Sequence, residues 1–160
     1  MLVQQNVTQT VHSQDFVISS TAFENNGTIP LQYTCDGDGI SPPLVMSGVP
    51  KTAKSLALTV VDVDAPSGPF THWTVWNIPT NVTAFSAGQG IPFPQGITSA
   101  KTHGYKGPCP PSGIHRYFFT AYALDSVLDL NENATRSDLE QAMSGHVVGT
   151  TELMGKYSKH

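Results

Sequence analysis

Charge is scarce in this 160-residue chain. Asp, Glu, Lys and Arg together make up 12% of it, about half the usual share in a globular domain. Such a chain is neither a charge-rich disordered segment nor a surface coiled coil. The basic sign is the scarcer one: 8 Lys and Arg stand against 12 Asp and Glu, a net charge of −4. No basic patch is available to track a phosphate backbone, which excludes nucleic acid as a partner. No run of 18 apolar residues occurs, so no helix is long enough to span a membrane. The opening residues, MLVQQNVTQTVHSQDF, lack the basic and apolar regions of a signal peptide. Two expectations remain open: a cytoplasmic protein, or one whose signal segment was cleaved ahead of Met1. There is no HExxH, no CxxC and no His pair at helical or strand spacing, so no metal site is expected. The absence of a GxSxG elbow, a Walker loop and a dinucleotide fingerprint removes the corresponding hydrolases and cofactors, and no cofactor is expected.

Turn formers, in contrast, are plentiful. Fourteen Gly and 12 Pro are scattered without a period, which excludes collagen and predicts many short elements. The length predicts one domain, residues 15–160, after a loose polar arm over residues 1–14. Phe16-Val17-Ile18 is a first strand. Ser55 to Asp62, SLALTVVD, is apolar on both faces and is expected to be central. His72 to Ile78 and Arg116 to Leu124 are two further β-branched and aromatic runs. Between them lies a Gly/Pro-rich stretch, Ala87 to Gly113, too irregular for a buried element and of a length that usually carries function. One helix is expected around Arg136 to His146, capped by Thr135 or Ser137, with Leu139, Ala142 and Met143 on one face and Gly145 as its stop. Val147 to Tyr157 suits a last strand. Strands without βαβ alternation predict a mainly antiparallel β protein.

The informative residues are polar groups placed where the pattern buries side chains. If the SLALTVVD strand continues, Leu56, Leu58, Val60, Asp62 and Asp64 share a face. Taken alone, the aspartates suit a solvated turn that accepts backbone N–H bonds. A hairpin through Pro66-Ser67-Gly68-Pro69, however, returns His72 beside them. His115 opens the third strand, and Tyr117 is its same-face neighbour. Convergence of Asp62, Asp64, His72, His115 and Tyr117 at one end of a sheet would make a polar pocket. Histidine and tyrosine donors, a Gly/Pro loop and an aspartate that fixes a histidine tautomer suit a small anion better than a metal. Cys109, flanked by Pro108, Pro110 and Pro111, has no base in register to activate it.

These residues fall in two blocks that resemble the phosphatidylethanolamine-binding protein family, in its prokaryotic Raf-kinase-inhibitor-like branch. Asp62-Val63-Asp64-Ala65-Pro66 with His72-Trp73 is similar to the family's D-P-D-A-P…H-W block. Gly107-Pro108-Cys109-Pro110-Pro111-Ser112-Gly113-Ile114-His115-Arg116-Tyr117 is similar to its G-P-x-P-P-x-G-x-H-R-Y block. The resemblance spans about residues 16–157. It implies a large central antiparallel sheet packed on a smaller one, a C-terminal helix, and a surface cavity for phosphate-like anions or a phospholipid headgroup. The implied ligand-binding residues are Asp62, Ala65, Pro66, His72, Gly107, Pro111, His115 and Tyr117, with Asp64 as a supporting wall residue. The resemblance also sets the Cys35 and Cys109 segments side by side. A disulfide between them would close a long loop, stabilise by roughly 4 kcal/mol in the chain-entropy model, and place the protein in the periplasm or outside the cell. Free thiols would favour the cytoplasm. Two departures stand out: Val63 replaces the family's usual Pro, and Thr98-Ser99-Ala100-Lys101 replaces an N-D-F-G run, which is expected to alter one rim of the pocket.

Three functions compete. The favoured one is a non-catalytic binding protein for small anions or phosphorylated headgroups. The second is an inhibitor that docks a protease or kinase partner at the pocket rim. The third is a hydrolase using His72 and His115 as acid and base.

Overall fold

A computed structural model of the chain describes residues 15–159. The expected arm over residues 1–14 lies outside them. Strand Ser55–Asp62 (SLALTVVD) is buried at all eight positions, as its lack of a polar face requires. It pairs on one side with Phe70–Ile78 and on the other with Ile114–Leu124. In chain order the strands are β1 (Val17–Ser19), β2 (Gly27–Thr28), β3 (Leu44–Ser47), β4 (Ser55–Asp62), β5 (Phe70–Ile78), β6 (Ala84–Phe85), β7 (Ile114–Leu124) and β8 (Val147–Ser158), with helix α1 (Arg136–Met143) before β8. The large sheet runs β2-β8-β7-β4-β5 and the small one β1-β3-β6. All pairs are antiparallel except the short β2–β8 pair, which is parallel.

The central sheet has two covered faces. Leu56, Leu58, Val60, Trp73, Val75, Tyr117, Phe119 and Leu153 meet Ile18, Leu44, Met46 and Phe85 of the small sheet in one core. On the other face, Ala57, Trp76 and Leu124 pack with Leu139 and Met143 of α1 and with Leu128 and Ala134 of the segment before it. The helix is shorter than the stretch to His146 that the sequence suggests. Thr135 caps it in a reciprocal box, its side chain accepting from the Asp138 N–H while Asp138 Oδ2 accepts from the Thr135 N–H at 3.0 Å. The chain turns away through Gly145, at φ +82°, a conformation that suits glycine.

Two register shifts break the β4–β5 ladder. Val60 faces Trp73 and Val61 faces Thr71, so His72 is an extra residue without a partner on β4. Leu58 faces Val75 and Leu56 faces Ile78, which leaves a second extra residue on β5. There Asn77 adopts φ +54°. Its side-chain carbonyl accepts from the Leu128 N–H at 2.8 Å and its amide donates to the Leu128 carbonyl at 2.9 Å. Asn77 thus ties the strand to the segment leading into α1. The Gly/Pro-rich stretch covers the outer edge of β5: Gly96, Ser99 and Lys106 donate backbone N–H groups to the carbonyls of Thr74, Thr71 and His72. It therefore protects an edge that would otherwise template pairing with another chain.

Asn77→Ala removes both bonds to Leu128 and places a Cβ-bearing residue without a compensating side-chain bond at positive φ. We expect a loss of about 2–3 kcal/mol in urea unfolding, and about 1 kcal/mol less for Asn77→Gly, which keeps the backbone conformation.

Candidate functional site

The bulge at His72 decides which side chains meet. On regular strands, residues directly opposite one another point to the same face. In unbroken register His72 would stand opposite Val61 and point to the helix face. Thr71 holds that position instead, and its hydroxyl accepts from Arg136 Nε of α1 at 2.8 Å. The extra residue re-aims His72 toward the face of Asp62 and Tyr117, the re-aiming for which bulges near binding sites are known.

A cavity of about 370 Å³ opens at this end of the sheet. Seven of the eight residues expected at a ligand site line it: Asp62, Ala65, Pro66, His72, Gly107, Pro111 and His115. Tyr117 lies beneath. It is fully buried, edge-on to His72 with ring centroids 5.3 Å apart, and stacked on His115 at 6.4 Å. Its hydroxyl has no hydrogen-bond partner of normal geometry. Burial, followed by the nearby Asp62 carboxylate, pushes its pKa well above the usual phenol range. Ser67, Gly68, Phe70, Lys106 and Cys109 also line the cavity. Phe70 escapes a sequence reading because β5 begins two residues before the expected His72. Lys106 escapes it because its backbone carbonyl makes the key contact, and residue type gives no sign of that.

Both imidazoles are fixed through Nδ1. His72 Nδ1 donates to the Lys106 carbonyl at 2.6 Å, while the Lys106 N–H donates to the His72 carbonyl at 2.9 Å. His115 Nδ1 contacts Asp62 Oδ2 at 2.6 Å, with both groups buried. The other oxygen of Asp62 accepts from the Asp64 N–H at 2.8 Å. A donor at each Nδ1 leaves each Nε2 to whatever enters the site. Burial lowers the pKa of His72 below its ordinary value, partly offset by the Lys106 carbonyl and the Asp62 charge.

Asp64 does not line the cavity. β4 ends at Asp62, so the expected shared face stops there, and Asp64 turns to Arg116. Its Oδ2 accepts from Arg116 N and Nε, both at 2.9 Å, and its Oδ1 accepts from the guanidinium at 2.8 Å. Arg116 holds the Asp64 carboxyl down at about 2. This two-pronged contact clamps the end of β4 to the start of β7. Val63 contributes an N–H to the Arg116 carbonyl at 3.2 Å, a bond that proline could not make. Thr98-Ser99-Ala100-Lys101 does not form the cavity rim, contrary to expectation. Ser99 exchanges bonds with Thr71, and Thr98 pairs with Thr102.

Cys35 and Cys109 form a disulfide with their Cα atoms 5.3 Å apart. Beside it, Gly107 runs so close to Tyr33 and Thr34 that a Cβ there would lie 3.0–3.1 Å from their backbone. The bridge and this close contact set the Gly107–Pro111 loop against the cavity.

The family model for phosphatidylethanolamine-binding protein matches residues 19–158. A UPF0098 protein of Methanothermobacter thermautotrophicus is 49% identical over 150 residues, covering 89% of this chain and 98% of the relative. A UPF0098 protein of Chlamydia pneumoniae is 47% identical over 145 residues, covering 88% and 97%. Among solved structures, a phosphatidylethanolamine-binding protein homologue from Chlamydia trachomatis superposes with a TM-score of 0.90 at 45% identity, over 92% of this chain and 100% of that one. YbcL of E. coli, a member of the mammalian family, gives 0.85 at 29% identity over 91% and 99%. With two sheets, one C-terminal helix and a family match along nearly the whole described chain, the protein belongs to the phosphatidylethanolamine-binding protein family.

Proposed function

We propose that this protein is a non-catalytic binding protein whose cavity takes small anions of the phosphate or phospholipid-headgroup type. The observation that carries this reading is the pair of buried imidazoles, both tied at Nδ1 and both lining one cavity. A neutral histidine with a proton on Nδ1 offers only a lone pair at Nε2. An anion is therefore held either by protonating the ring or by bringing a proton of its own. Binding and proton uptake are coupled in either case. Lys106 adds a cation at the lining, and a volume of about 370 Å³ lies at the small end of ligand pockets, suited to a headgroup rather than to a whole lipid. The disulfide fits a protein that works in an oxidising compartment.

An Asp–His pair is also the way hydrolases orient a general base, so the catalytic alternative has one feature in its favour. It lacks an activated nucleophile. Among the described residues, no serine, threonine or cysteine side chain bonds to either imidazole, and Cys109 is oxidised. We expect no turnover of p-nitrophenyl phosphate or p-nitrophenyl acetate above buffer. Turnover that His72→Gln abolishes would establish the hydrolase instead.

The pH dependence follows from the lowered pKa of His72. A ring that is neutral when empty and charged when occupied takes up a proton on binding, so affinity rises as pH falls. Sulfate carries no titrating proton in this range, which assigns the effect to the protein. Calorimetric titration with sulfate is expected to show roughly tenfold tighter binding at pH 6 than at pH 8, about 1.4 kcal/mol. His72→Gln should flatten most of that difference. Flat affinity in the unmodified protein, or tighter binding at pH 8, would contradict a charge-assisted histidine site. Phosphate binding without any sulfate binding would instead place the proton on the ligand.

A further inference from the structure

The two halves of the disulfide are anchored very unequally. Cys35 follows Tyr33 and Thr34, both buried, and next to it Asp36 accepts from the Tyr157 hydroxyl of β8 at 2.5 Å. Cys109 lies in the run 107–113, where three of seven residues are proline and have no N–H to donate. Among the described residues, that run makes one hydrogen bond to the rest of the fold, from the Cys35 N–H to the Pro108 carbonyl at 3.0 Å. The other ties are the bridge itself and the packing of Gly107, at the start of the run, against Tyr33 and Thr34. Both cysteines are exposed, and Cys109 lines the cavity with Gly107 and Pro111.

We propose that the Cys35–Cys109 bridge is a redox latch on the cavity: reduction by a dithiol frees the 107–113 wall and weakens anion binding, and reoxidation restores it. This rests on the anion-binding reading above. In the reduction, a thiolate of the dithiol attacks one sulfur, the Cys35–Cys109 S–S bond breaks and a mixed disulfide forms. The second thiol of the reagent then displaces the protein sulfur. Two electrons and two protons end on the two cysteines, and the dithiol leaves as its own disulfide. Once released, the wall must be ordered again each time a ligand binds, and that ordering opposes affinity. His72 keeps its tautomer in both states, because Lys106 is held by β5 and not by the bridge. A chain held in a reducing environment therefore keeps its histidines in place but leaves its cavity loose.

The test uses the whole protein in three forms: oxidised, reduced with dithiothreitol, and Cys35→Ser combined with Cys109→Ser. Amide hydrogen exchange is followed at Cys35 (Ser in the variant), whose N–H donates to the Pro108 carbonyl of the wall, and inorganic phosphate is titrated by calorimetry. We expect exchange at this amide to rise at least tenfold on reduction while β4 and β7 stay unchanged, and phosphate affinity to fall about tenfold. Reoxidation of the dithiothreitol-treated sample should reverse both. Equal exchange in the two redox states overturns the latch, and so does loosened exchange with unchanged affinity. If the oxidised protein ignores phosphate, the anion reading falls and takes the gating with it, while the exchange data still decide whether the bridge holds the wall. If the double variant does not fold, the reduced unmodified protein gives the same comparison.

Discussion

One extra residue in a strand determines the chemistry of this fold. Without the bulge at His72, the β5 ladder would turn that imidazole toward α1, and His115 would stand alone. With it, two histidines from strands separated by β4 share a cavity at one end of the central sheet. The bulge is sustained from outside the ladder. Lys106 bonds to both the His72 ring and its carbonyl, so the unpaired residue still has its backbone acceptor satisfied, as a buried group requires.

The rest of the site is a chain of fixings on that frame. Asp64 and Arg116 clamp the end of β4 to the start of β7. The Asp64 N–H then holds one oxygen of Asp62, whose other oxygen holds His115. Tyr117 packs against both rings from below. Each imidazole that faces the cavity is oriented by an oxygen acceptor at its Nδ1. This arrangement preorganises donors and lets affinity come from few contacts. The ion pair at the surface contributes little to stability by itself; its value here is positional.

Much of this was legible in the residues. The two apolar faces of SLALTVVD placed β4 at the centre, and the turn at Pro66–Pro69 returned His72 to Asp62. The strand parity of β7 put His115 and Tyr117 on one face. What the sequence left unread has physical reasons. A bulge is a change in hydrogen-bond register, and HWTVWNI has the same composition with or without it. The part played by Lys106 belongs to its carbonyl, which every residue carries. Parity gave the face of Tyr117 but not its depth below the cavity floor. Thr98–Lys101 follows a break in the expected motif, yet it folds against Thr71 rather than the cavity, because the loop's own hydroxyl bonds close on themselves. The shortest strands, β2 and β6, have two residues each, too few for a periodic signal.

The central claim is that both imidazoles are tied at Nδ1 and present Nε2 to the cavity. Nitrogen-15 NMR of the histidine rings measures this directly, since Nδ1 and Nε2 shifts report which atom bears the proton. The account predicts a proton on Nδ1 of both His72 and His115 in the free protein, and a sulfate-dependent change confined chiefly to the two Nε2 signals. A bare Nδ1 with the proton on Nε2 in either ring, or Nε2 signals that neither sulfate nor phosphate moves, would contradict it.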